Sequence, residues 1–456
     1  MNIISRRNFL HATAAASAAV PVFLSNSRAA AQAVGANSKI RLGVIGCGGM
    51  GKGDLAAFLA NPEVDVPIVC DIDDAHATEA ADLVAAQRTG RPEMVSDFRR
   101  VLDRQDVDAV LIATPDHWHA LPAVLACQAG KDVYVEKPLG RTIDEGRAML
   151  EAAKQHNRVV QMGTQWRSAP HMREAVEFVQ SGRLGKIRSV RAWAYLDWVG
   201  GIGNPADGAP PAGVNYDMWL GPAPQRPFNP NRFHFNFRWY WDYAGGLMTD
   251  WGVHLLNVAL WAQGMETPAK VCSYGGKKVV EDNTETPDTQ FAVYDFPSYT
   301  LVWEHQLLGG LGPNNSPHGL YFSGTEGALQ IDDKGWHIIP EPKKDGLKTG
   351  IYPDGNTPEG KVAEPVMSRP EGPDGRPFHV RNFLDCLSTR EDPAENLTIG
   401  HHVSTVAHLG NLALRTGSEI HWDAVNERVT NNPAADALVG EAYRTPWELP
   451  YRRRNV

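Results

Sequence analysis

Three side chains in this sequence have types and spacings suited to acid–base chemistry. Lys137 follows Glu136 directly after a short β-branched run, and Asp250 and His254 precede a long apolar stretch. In a helix, this spacing of four places Asp250 and His254 on one face, where they can act jointly. Removing a hydroxyl proton while hydride leaves the carbon needs a base that titrates near neutrality, which an imidazole supplies. A surface lysine and a structural Asp–His pair are the competing interpretations.

A glycine-rich segment follows the first predicted strand and opens a predicted helix. It consists of Gly46, Cys47, Gly48, Gly49, Met50 and Gly51. These glycines allow the backbone to turn tightly and approach a pyrophosphate, which then rests on the positive end of the helix. A purely structural turn is the alternative. The second predicted strand ends at Asp71, 20 residues after Gly51, where a carboxylate can accept both hydroxyls of an adenosine ribose.

The residues after Asp71 favour NAD over NADP as the cofactor. Asp73 and Asp74 follow it, and no arginine lies nearby in the sequence. A 2′-phosphate would therefore meet like charge, at a cost on the order of 1 kcal/mol or more at short range. A loop acid that caps local backbone amides is the alternative role for Asp71.

Two further turns lie where predicted parallel strands end, which is where ligands bind in open α/β sheets. The predicted cofactor contacts in these turns are Thr114, Pro115, His119, Glu136 and Lys137. His117 and His119 form a His-x-His pair, but no compatible third ligand cluster is evident. No metal site is therefore predicted there, or at the adjacent histidines 401 and 402.

Alternating strand and helix patterns predict the scaffold that positions these turns. Strands are predicted at residues 41–45, 64–70, 109–113, 133–135 and 159–162. Helices are predicted between them at residues 51–60, 79–86, 120–129 and 143–156. Near-continuous apolar strands suit a parallel sheet that is covered on both faces. The repeated βαβ pattern predicts a doubly wound dinucleotide-binding domain over residues 38–162.

After about Arg167 the pattern changes to that of an α+β domain. A helix is predicted at residues 171–180, and strands are predicted at residues 187–195, 290–296, 299–305 and 320–322. Few long helices are evident between these strands. The pattern predicts one antiparallel sheet within a second domain over residues 163–450. Residues 200–230 and 341–377 are rich in proline and glycine and are predicted as long loops.

The composition is that of a globular protein long enough for two sizeable cores. The chain has 456 residues, of which 43% are hydrophobic and 21% are charged. The net charge of -9 argues against nucleic acid or anionic lipid as a partner. Five widely spaced cysteines imply no disulfide framework.

Residues 1–33 have the pattern of an export signal. They carry three arginines and no acidic residue, so their removal changes the net charge from -9 to -12. Arg6 and Arg7, followed by Phe9 and Leu10, resemble a twin-arginine signal. The apolar stretch of about 13 residues is short of the roughly 20 that span a bilayer, which favours cleavage over a membrane anchor. The sequence therefore predicts twin-arginine export of an already folded protein, with no stable membrane span after processing.

In order and approximate spacing, these motifs resemble those of the glucose-fructose oxidoreductase / inositol dehydrogenase (Gfo/Idh/MocA) family. The matching residues are Gly46 to Gly51, Thr114-Pro115, Glu136-Lys137-Pro138, Ser181-Gly182, Leu184-Gly185-Lys186, Gly246, Asp250 and His254. The resemblance implies an α/β protein, with a Rossmann domain followed by an α+β domain that has a large open antiparallel sheet. That open sheet often forms a subunit interface, which implies a homo-oligomer.

The resemblance also implies an activity, namely NAD-dependent oxidation of a CH–OH group in a sugar, polyol or sugar derivative. Lys137, Asp250 and His254 match the catalytic Lys and Asp-x-x-x-His positions of the family. Asp116 departs from the pattern, because many members carry Asn there, and the departure affects contacts near the nicotinamide.

Aromatic residues before Asp250 are candidates for binding a carbohydrate, because aromatic faces suit the CH-rich faces of sugars. They are Tyr216, Trp219, Trp239, Tyr240 and Trp241. Trp219 and Tyr240 are predicted to contact substrate, with core packing as the alternative. Arg167 is predicted to hold a hydroxyl or a carboxylate.

Two rival reactions use the same residues without net consumption of NAD. One is a glycosidase that oxidises its substrate transiently, eliminates the glycosidic substituent and restores NAD. The other is a sugar–sugar oxidoreductase with a non-dissociating cofactor. Either suits an exported protein, because no soluble NAD pool exists outside the cytoplasm to reoxidise it. A third hypothesis is a cofactor-stabilised sugar-binding protein without turnover. The presence of Lys137 and His254 argues against it, because binding alone does not need catalytic side chains.

Overall fold

The computed structural model describes residues 39–198, 201–332, 334–341 and 365–452. The predicted export signal at residues 1–33 lies outside these ranges. In the described ranges, no helix combines the length and apolar character that a bilayer crossing requires. All five cysteines lie within the described ranges and are free thiols.

The first sheet has six parallel strands in the order β3-β2-β1-β4-β5-β6. The strands are β1 (Ile40–Ile45), β2 (Val64–Cys70), β3 (Glu93–Val95), β4 (Ala109–Ile112), β5 (Asp132–Val135) and β6 (Val160–Met162). Strands β4, β5 and β6 are buried at every position, and their sequences are apolar apart from Asp132 and Gln161. The predicted doubly wound sheet is confirmed, and the short strand β3 is an addition to it.

Helices connect these strands and hold in place the turns that follow the carboxyl ends of the strands. They are α1 (Gly49–Leu59), α2 (Asp74–Ala85), α3 (Arg99–Leu102), α4 (Ala120–Gln128) and α5 (Ile143–His156). Helix α5 begins with a capping box, in which Thr142 and Glu145 each bind the other's backbone amide. It ends at Asn157, whose left-handed backbone conformation stops the helix.

The second sheet has ten strands in the order β14-β13-β12-β11-β7-β10-β9-β8-β15-β16. They are β7 (Ser189–Leu196), β8 (Lys270–Gly276), β9 (Thr289–Asp295), β10 (Thr300–Leu307), β11 (His318–Ser323), β12 (Gly327–Asp332), β13 (Gly335–Pro340), β14 (Met367–Pro370), β15 (Ile420–Asp423) and β16 (Arg428–Val429). The large sheet is confirmed, but it is only mostly antiparallel, because β10 pairs in parallel with β7. The domain limits at residues 38–162 and 163–450 stay predictions.

Within the described residues, one long helix, Gly246–Ala262, lies between the predicted strands, where few long helices were expected, and two further long helices after residue 375 were not predicted. The helices of the second half are α6 (Pro170–Gln180), α7 (Tyr216–Leu220), α8 (Gly246–Ala262), α9 (Arg376–Thr389), α10 (Leu397–Thr416) and α11 (Pro433–Ala437). Helices α8 and α10 pack against each other and are buried over most of their lengths. The loop prediction for residues 200–230 missed α7, and the prediction for residues 341–377 falls mostly outside the described ranges.

Candidate active site

A cavity of about 650 Å³ opens at the carboxyl ends of β1, β2, β4 and β5. Its walls include Gly46 and Asp71 at one side and Lys137, Asp250 and His254 at another. The structure thus brings together the predicted cofactor residues and the predicted catalytic residues. The cavity lies where ligands bind in doubly wound sheets.

The glycine turn leaves the start of helix α1 open towards the cavity. Gly46 has a φ of +88°, and a Cβ there would lie 2.7 Å from the backbone of Ala113. A Cβ at Gly51 would lie 2.1 Å from the Gly46 carbonyl oxygen, so Gly51 allows the turn to pack and is not among the cavity-lining residues. At Gly49 a Cβ would meet no atom within 4 Å. A pyrophosphate therefore fits over Gly48 to Met50 at the positive end of α1.

Asp71 is held in place by two backbone amides. Its Oδ2 accepts a hydrogen bond from the amide of Cys47 at 2.6 Å, and its Oδ1 accepts one from Asp73 at 2.9 Å. Each carboxylate oxygen keeps a second acceptor position, and the residue lines the cavity. This geometry fits a pair of ribose hydroxyls beside the glycine turn.

Asp71→Ala should weaken NAD binding by roughly ten-fold to a hundred-fold, because two charge-assisted hydrogen bonds to the ribose are lost. The same change removes the negative charge that disfavours a 2′-phosphate, so the preference for NAD over NADP should narrow. Equilibrium titration of both nucleotides measures this effect. Unchanged NAD affinity would show that Asp71 only caps local backbone amides and does not bind the ribose.

Lys137 and Asp250 form an ion pair in the cavity wall. The ammonium of Lys137 donates to Oδ1 of Asp250, and Arg238 lies 3.2 Å from Oδ2 of the same carboxylate. Burial opposes the Lys137 charge, but Asp250 and Glu136 outweigh burial and raise its pKa. Burial likewise opposes the Asp250 charge, but Lys137 and Arg238 lower its pKa well below the ordinary value. Lys137 and Asp250 are therefore both charged at neutral pH.

His254 lies one helical turn after Asp250 on α8, as the spacing predicts. Burial and the nearby Lys137 charge lower its pKa to about 3, so the ring is neutral at physiological pH. The expectation of a base that titrates near neutrality is thereby corrected, because desolvation disfavours the imidazolium. Within the described residues, Nδ1 of His254 is buried and has no hydrogen-bond partner. A polar substrate group would supply that partner.

Asp116 adds a neutral acid to the same cavity. Burial raises its pKa to about 8, with the Asp250 charge adding to the effect and Lys137 and Arg238 opposing it. The carboxyl is therefore protonated and uncharged at neutral pH, as the amide of the asparagine expected from the family resemblance would be. Having Asp116 in place of asparagine therefore adds little negative charge to the cavity below about pH 8.

Asp116→Asn should remove an alkaline decline in hydride transfer. In the native protein, the protonated state of Asp116 is lost as the pH rises through about 8. The new negative charge would stabilise the positive charge of oxidised NAD and so oppose hydride acceptance. A pH–rate profile should show the native rate falling in this window, while the asparagine variant stays level. Parallel profiles for the two proteins would exclude Asp116 as the titrating group.

The predicted contacts from the two other turns also lie in the cavity wall. They are Thr114, Pro115, His119 and Glu136. The His119 ring nitrogens lie 2.7 Å from the Pro138 carbonyl oxygen and 2.8 Å from the Thr114 carbonyl oxygen, so this histidine ties the two turns together. The Glu136 carboxylate is held next to Asp54, and burial raises its pKa.

The structure corrects two of the three predicted substrate contacts. Trp219 lines the cavity, but Arg167 and Tyr240 are not among the lining residues. Arg167 is buried 3.5 Å from Glu395, where its charge is paired internally. Tyr240 is fully buried and donates its hydroxyl hydrogen to Asn283 at 2.7 Å. Both side chains therefore serve the packing of the second half of the chain.

Several cavity residues were missed in the sequence. The aromatic ones are Trp166, Trp198, Phe235, Phe237 and Trp251, and the charged ones are Arg238 and Arg376. Trp251 adjoins Asp250, and Arg238 lies in the aromatic-rich segment before Asp250. Their proximity in sequence to a predicted catalytic residue could therefore have identified both. For Arg376, whose helix α9 is distant in sequence, no local signal exists.

Comparison with known proteins agrees with this geometry. Residues 40–164 match the NAD-binding Rossmann fold of the GFO_IDH_MocA oxidoreductase family, and residues 179–273 and 345–449 match the family's C-terminal alpha/beta domain. A levoglucosan dehydrogenase from Pseudarthrobacter phenanthrenivorans is 37% identical over 164 residues, which are 35% of this chain and 42% of the relative. A glycosyl hydrolase family 109 protein from Saccharopolyspora erythraea is 34% identical over 214 residues, which are 43% of this chain and 46% of the relative.

Among solved structures, levoglucosan dehydrogenase in complex with NADH and L-sorbose superposes with a TM-score of 0.63 and 21% identity. The match covers 84% of this chain and 98% of that one, and it shows a shared fold. By sequence, the chain spans less than half the length of the two curated relatives named above.

Proposed function

Because the chain belongs to the Gfo/Idh/MocA oxidoreductase family, we propose that it is an NAD-dependent enzyme that oxidises a CH–OH group. The substrate class is a sugar, a polyol or a sugar derivative. The observation that carries the proposal is the single cavity shared by the glycine turn, Asp71, Lys137, Asp250 and His254. NAD bound at the glycine turn supplies the hydride acceptor.

The side chains of this protein divide the remaining work of alcohol oxidation. The Lys137 ammonium stabilises the negative charge that develops on the substrate oxygen. The neutral imidazole of His254 can accept a hydrogen bond from the hydroxyl, and because burial holds its pKa at about 3, it takes the proton only as negative charge develops beside it. Asp250 keeps Lys137 charged and fixes its position. The aromatic wall, including Trp198 and Trp251, excludes water and packs against the CH-rich face of the substrate.

The first test identifies the cofactor and the substrate class together. The purified protein is denatured, and any released nucleotide is identified by mass spectrometry. The native protein is then offered NAD with levoglucosan, simple hexoses and inositols, and NADH formation is followed by absorbance. NAD binding and reduction with at least one of these compounds are expected. Failure to bind NAD would refute the proposal.

A redox-neutral glycosidase is the second candidate, and the similarity to a family 109 glycosyl hydrolase favours it. Such an enzyme would use the same Lys137 and His254 but would release a sugar without net NADH. Incubation of the NAD-loaded protein with aryl glycosides distinguishes the two functions. Release of the aryl group without added NAD supports the glycosidase, and stoichiometric NADH supports the dehydrogenase.

We also propose that the protein is exported and that it forms a homo-oligomer. Export is supported by the twin-arginine pattern at Arg6 and Arg7. Self-association is supported by apolar side chains exposed on the ten-stranded sheet, among them Tyr274, Phe291 and Val293. Analytical ultracentrifugation of the mature chain tests the second claim, and a monomer at micromolar concentration would contradict it.

Changing both Arg6 and Arg7 to lysine should trap the full-length precursor in the cytoplasm. The export machinery reads the arginine pair itself, so conserving the charge is not sufficient. Cell fractionation with an antibody against the mature chain measures the distribution. Normal processing of the double lysine variant would remove the twin-arginine assignment.

A further inference from the structure

A segment from the second half of the chain pairs with the residues next to Asp71. The amide of Asp74 donates to the Gly213 carbonyl oxygen at 3.1 Å, and the amide of Asn215 donates to the Ile72 carbonyl oxygen at 2.8 Å. These two bonds form an antiparallel bridge between Asp73 and Val214. The chain therefore passes directly over the end of β2 that carries the predicted ribose ligand.

A side-chain contact between His234 and Asp73 joins the same two parts of the chain next to Asp71. Nε2 of His234 lies 2.9 Å from Oδ2 of Asp73. Burial, together with the nearby charge of His76, lowers the pKa of His234, so its neutral ring donates Nε2–H to the carboxylate. The other oxygen of Asp73 accepts from the amide of Ala75 and caps helix α2. Asp73 is thus fixed by its own helix and holds His234.

His234 makes this contact from an unusual backbone conformation. Its φ is +47°, a left-handed conformation that is uncommon for a residue other than glycine. Its ring packs at 4.5 Å from the ring of His76, which lies 3.9 Å from Asp71. Both histidines line the cavity. The surroundings hold an unfavourable backbone conformation at a position that faces the ribose site.

We propose that His234 and Asp73 form a clasp over the adenosine end of the cofactor site, which retains NAD between turnovers. The two partners come from opposite halves of the chain, so an adenosine bound at Asp71 leaves only after their contact opens. The ligand class is the adenosine half of a dinucleotide. This inference rests on the proposed NAD binding but not on the proposed hydride chemistry.

A retained cofactor has a direct consequence for the reaction. If NAD stays bound, its reduced form must be reoxidised in place by a second substrate or by reversal within the same turnover. The clasp therefore favours a carbonyl compound as the co-substrate over exchange with free NAD. An exported protein would gain most from such retention.

The test compares NAD dissociation from the native protein with that from Asp73→Asn and His234→Asn. Asparagine at position 73 can still cap α2, and asparagine at position 234 tolerates the left-handed backbone. The NAD-loaded protein is diluted into an NAD glycohydrolase, and the protected nucleotide is measured over time. Each variant should release NAD about 10-fold to 100-fold faster, the usual effect of losing a hydrogen bond to a charged group.

A matched control is His421→Asn, which breaks a similar histidine–carboxylate contact with Glu419 at 2.6 Å on the exposed surface. Its NAD release should equal that of the native protein. The double variant at 73 and 234 should release NAD no faster than the faster single variant, because both changes break one contact.

Four outcomes would overturn the clasp. Native release rates in both single variants would show that the contact does not hold the cofactor. Additive acceleration in the double variant would show that the residues act separately. Faster release from the native protein on addition of EDTA would assign the closure to a metal ion, since donor atoms of Asp73, His76 and His234 all lie within 4.8 Å of one another. Absence of NAD binding would overturn the proposed function as well.

Discussion

Replacing His254 or Lys137 with alanine should lower hydride transfer by roughly two to four orders of magnitude, the usual range for a removed acid–base group. Hydride leaves a carbinol carbon only as the hydroxyl proton is taken or its charge is stabilised. These two side chains lie in the cavity next to Asp250, and each could perform one of those tasks. The measurement is the single-turnover rate of NADH formation with the best substrate found.

Both alanine variants should fold and keep NAD affinity. After Lys137→Ala, the carboxylate of Asp250 still has Arg238 at 3.2 Å. After His254→Ala, a neutral ring is lost, and no charge becomes unpaired. His318→Ala serves as a control, because this ring packs at 4.8 Å from Trp251 but is not among the cavity-lining residues. Near-native turnover in both test variants would show that the catalytic centre is elsewhere, while the NAD assignment would survive.

Asp250→Asn should cost about 3 to 5 kcal/mol of unfolding free energy, because it leaves two largely buried cations, with side chains 11% and 13% exposed, without their counter-charge. Lys137 donates to this carboxylate, and Arg238 lies beside it. Without the negative charge, the pKa of Lys137 should also fall, so part of the lysine population becomes neutral. Activity should be intermediate between that of the native protein and that of Lys137→Ala.

Urea denaturation followed by circular dichroism measures this loss. The matched control is Asp217→Asn, which removes an exposed partner of Arg444 and should change stability by less than about 1 kcal/mol. An equal effect of the two substitutions would mean that the pair of Lys137 and Asp250 is solvated and contributes no more than a surface contact.

The first half of the fold was predictable because each strand there carries its own signal. Strands β4 and β5 are short, mostly apolar runs that end in polar turns, and the glycine spacing at the start of α1 is typical of a dinucleotide-binding turn. The positions of Lys137 and Asp71 follow from those strand ends. Both residues line the cavity, whereas His76, Ser96 and Phe98, which line it too, were not predicted.

The second half was harder because its long helices bury polar side chains. Helix α10 buries His401, His408 and Asn411, so its sequence lacks a clear apolar stripe. Tyr240 and Trp219 both lie in the aromatic-rich stretch before Asp250, yet of these two only Trp219 lines the cavity. Which aromatic ring faces a ligand is decided by packing between distant segments, and local pattern does not carry that information.

The lowered pKa of His254 has the same origin. Its residue type suggests titration near neutrality, but desolvation by surrounding side chains is a property of the folded cavity. The contact between His234 and Asp73 joins residues 161 positions apart, and no sequence motif predicts it. Charge states and long-range contacts are thus the parts of the site that required the structure.

The most direct test of hydride transfer uses a sugar that carries deuterium on the carbinol carbon to be oxidised. The NAD-loaded protein is mixed with this sugar and quenched in denaturant within one turnover, and the nucleotide is analysed by mass spectrometry. Deuterium should appear on the reduced nicotinamide in the native protein and should be absent after His254→Ala. Product formation with no deuterium on the nicotinamide at any time would contradict hydride transfer.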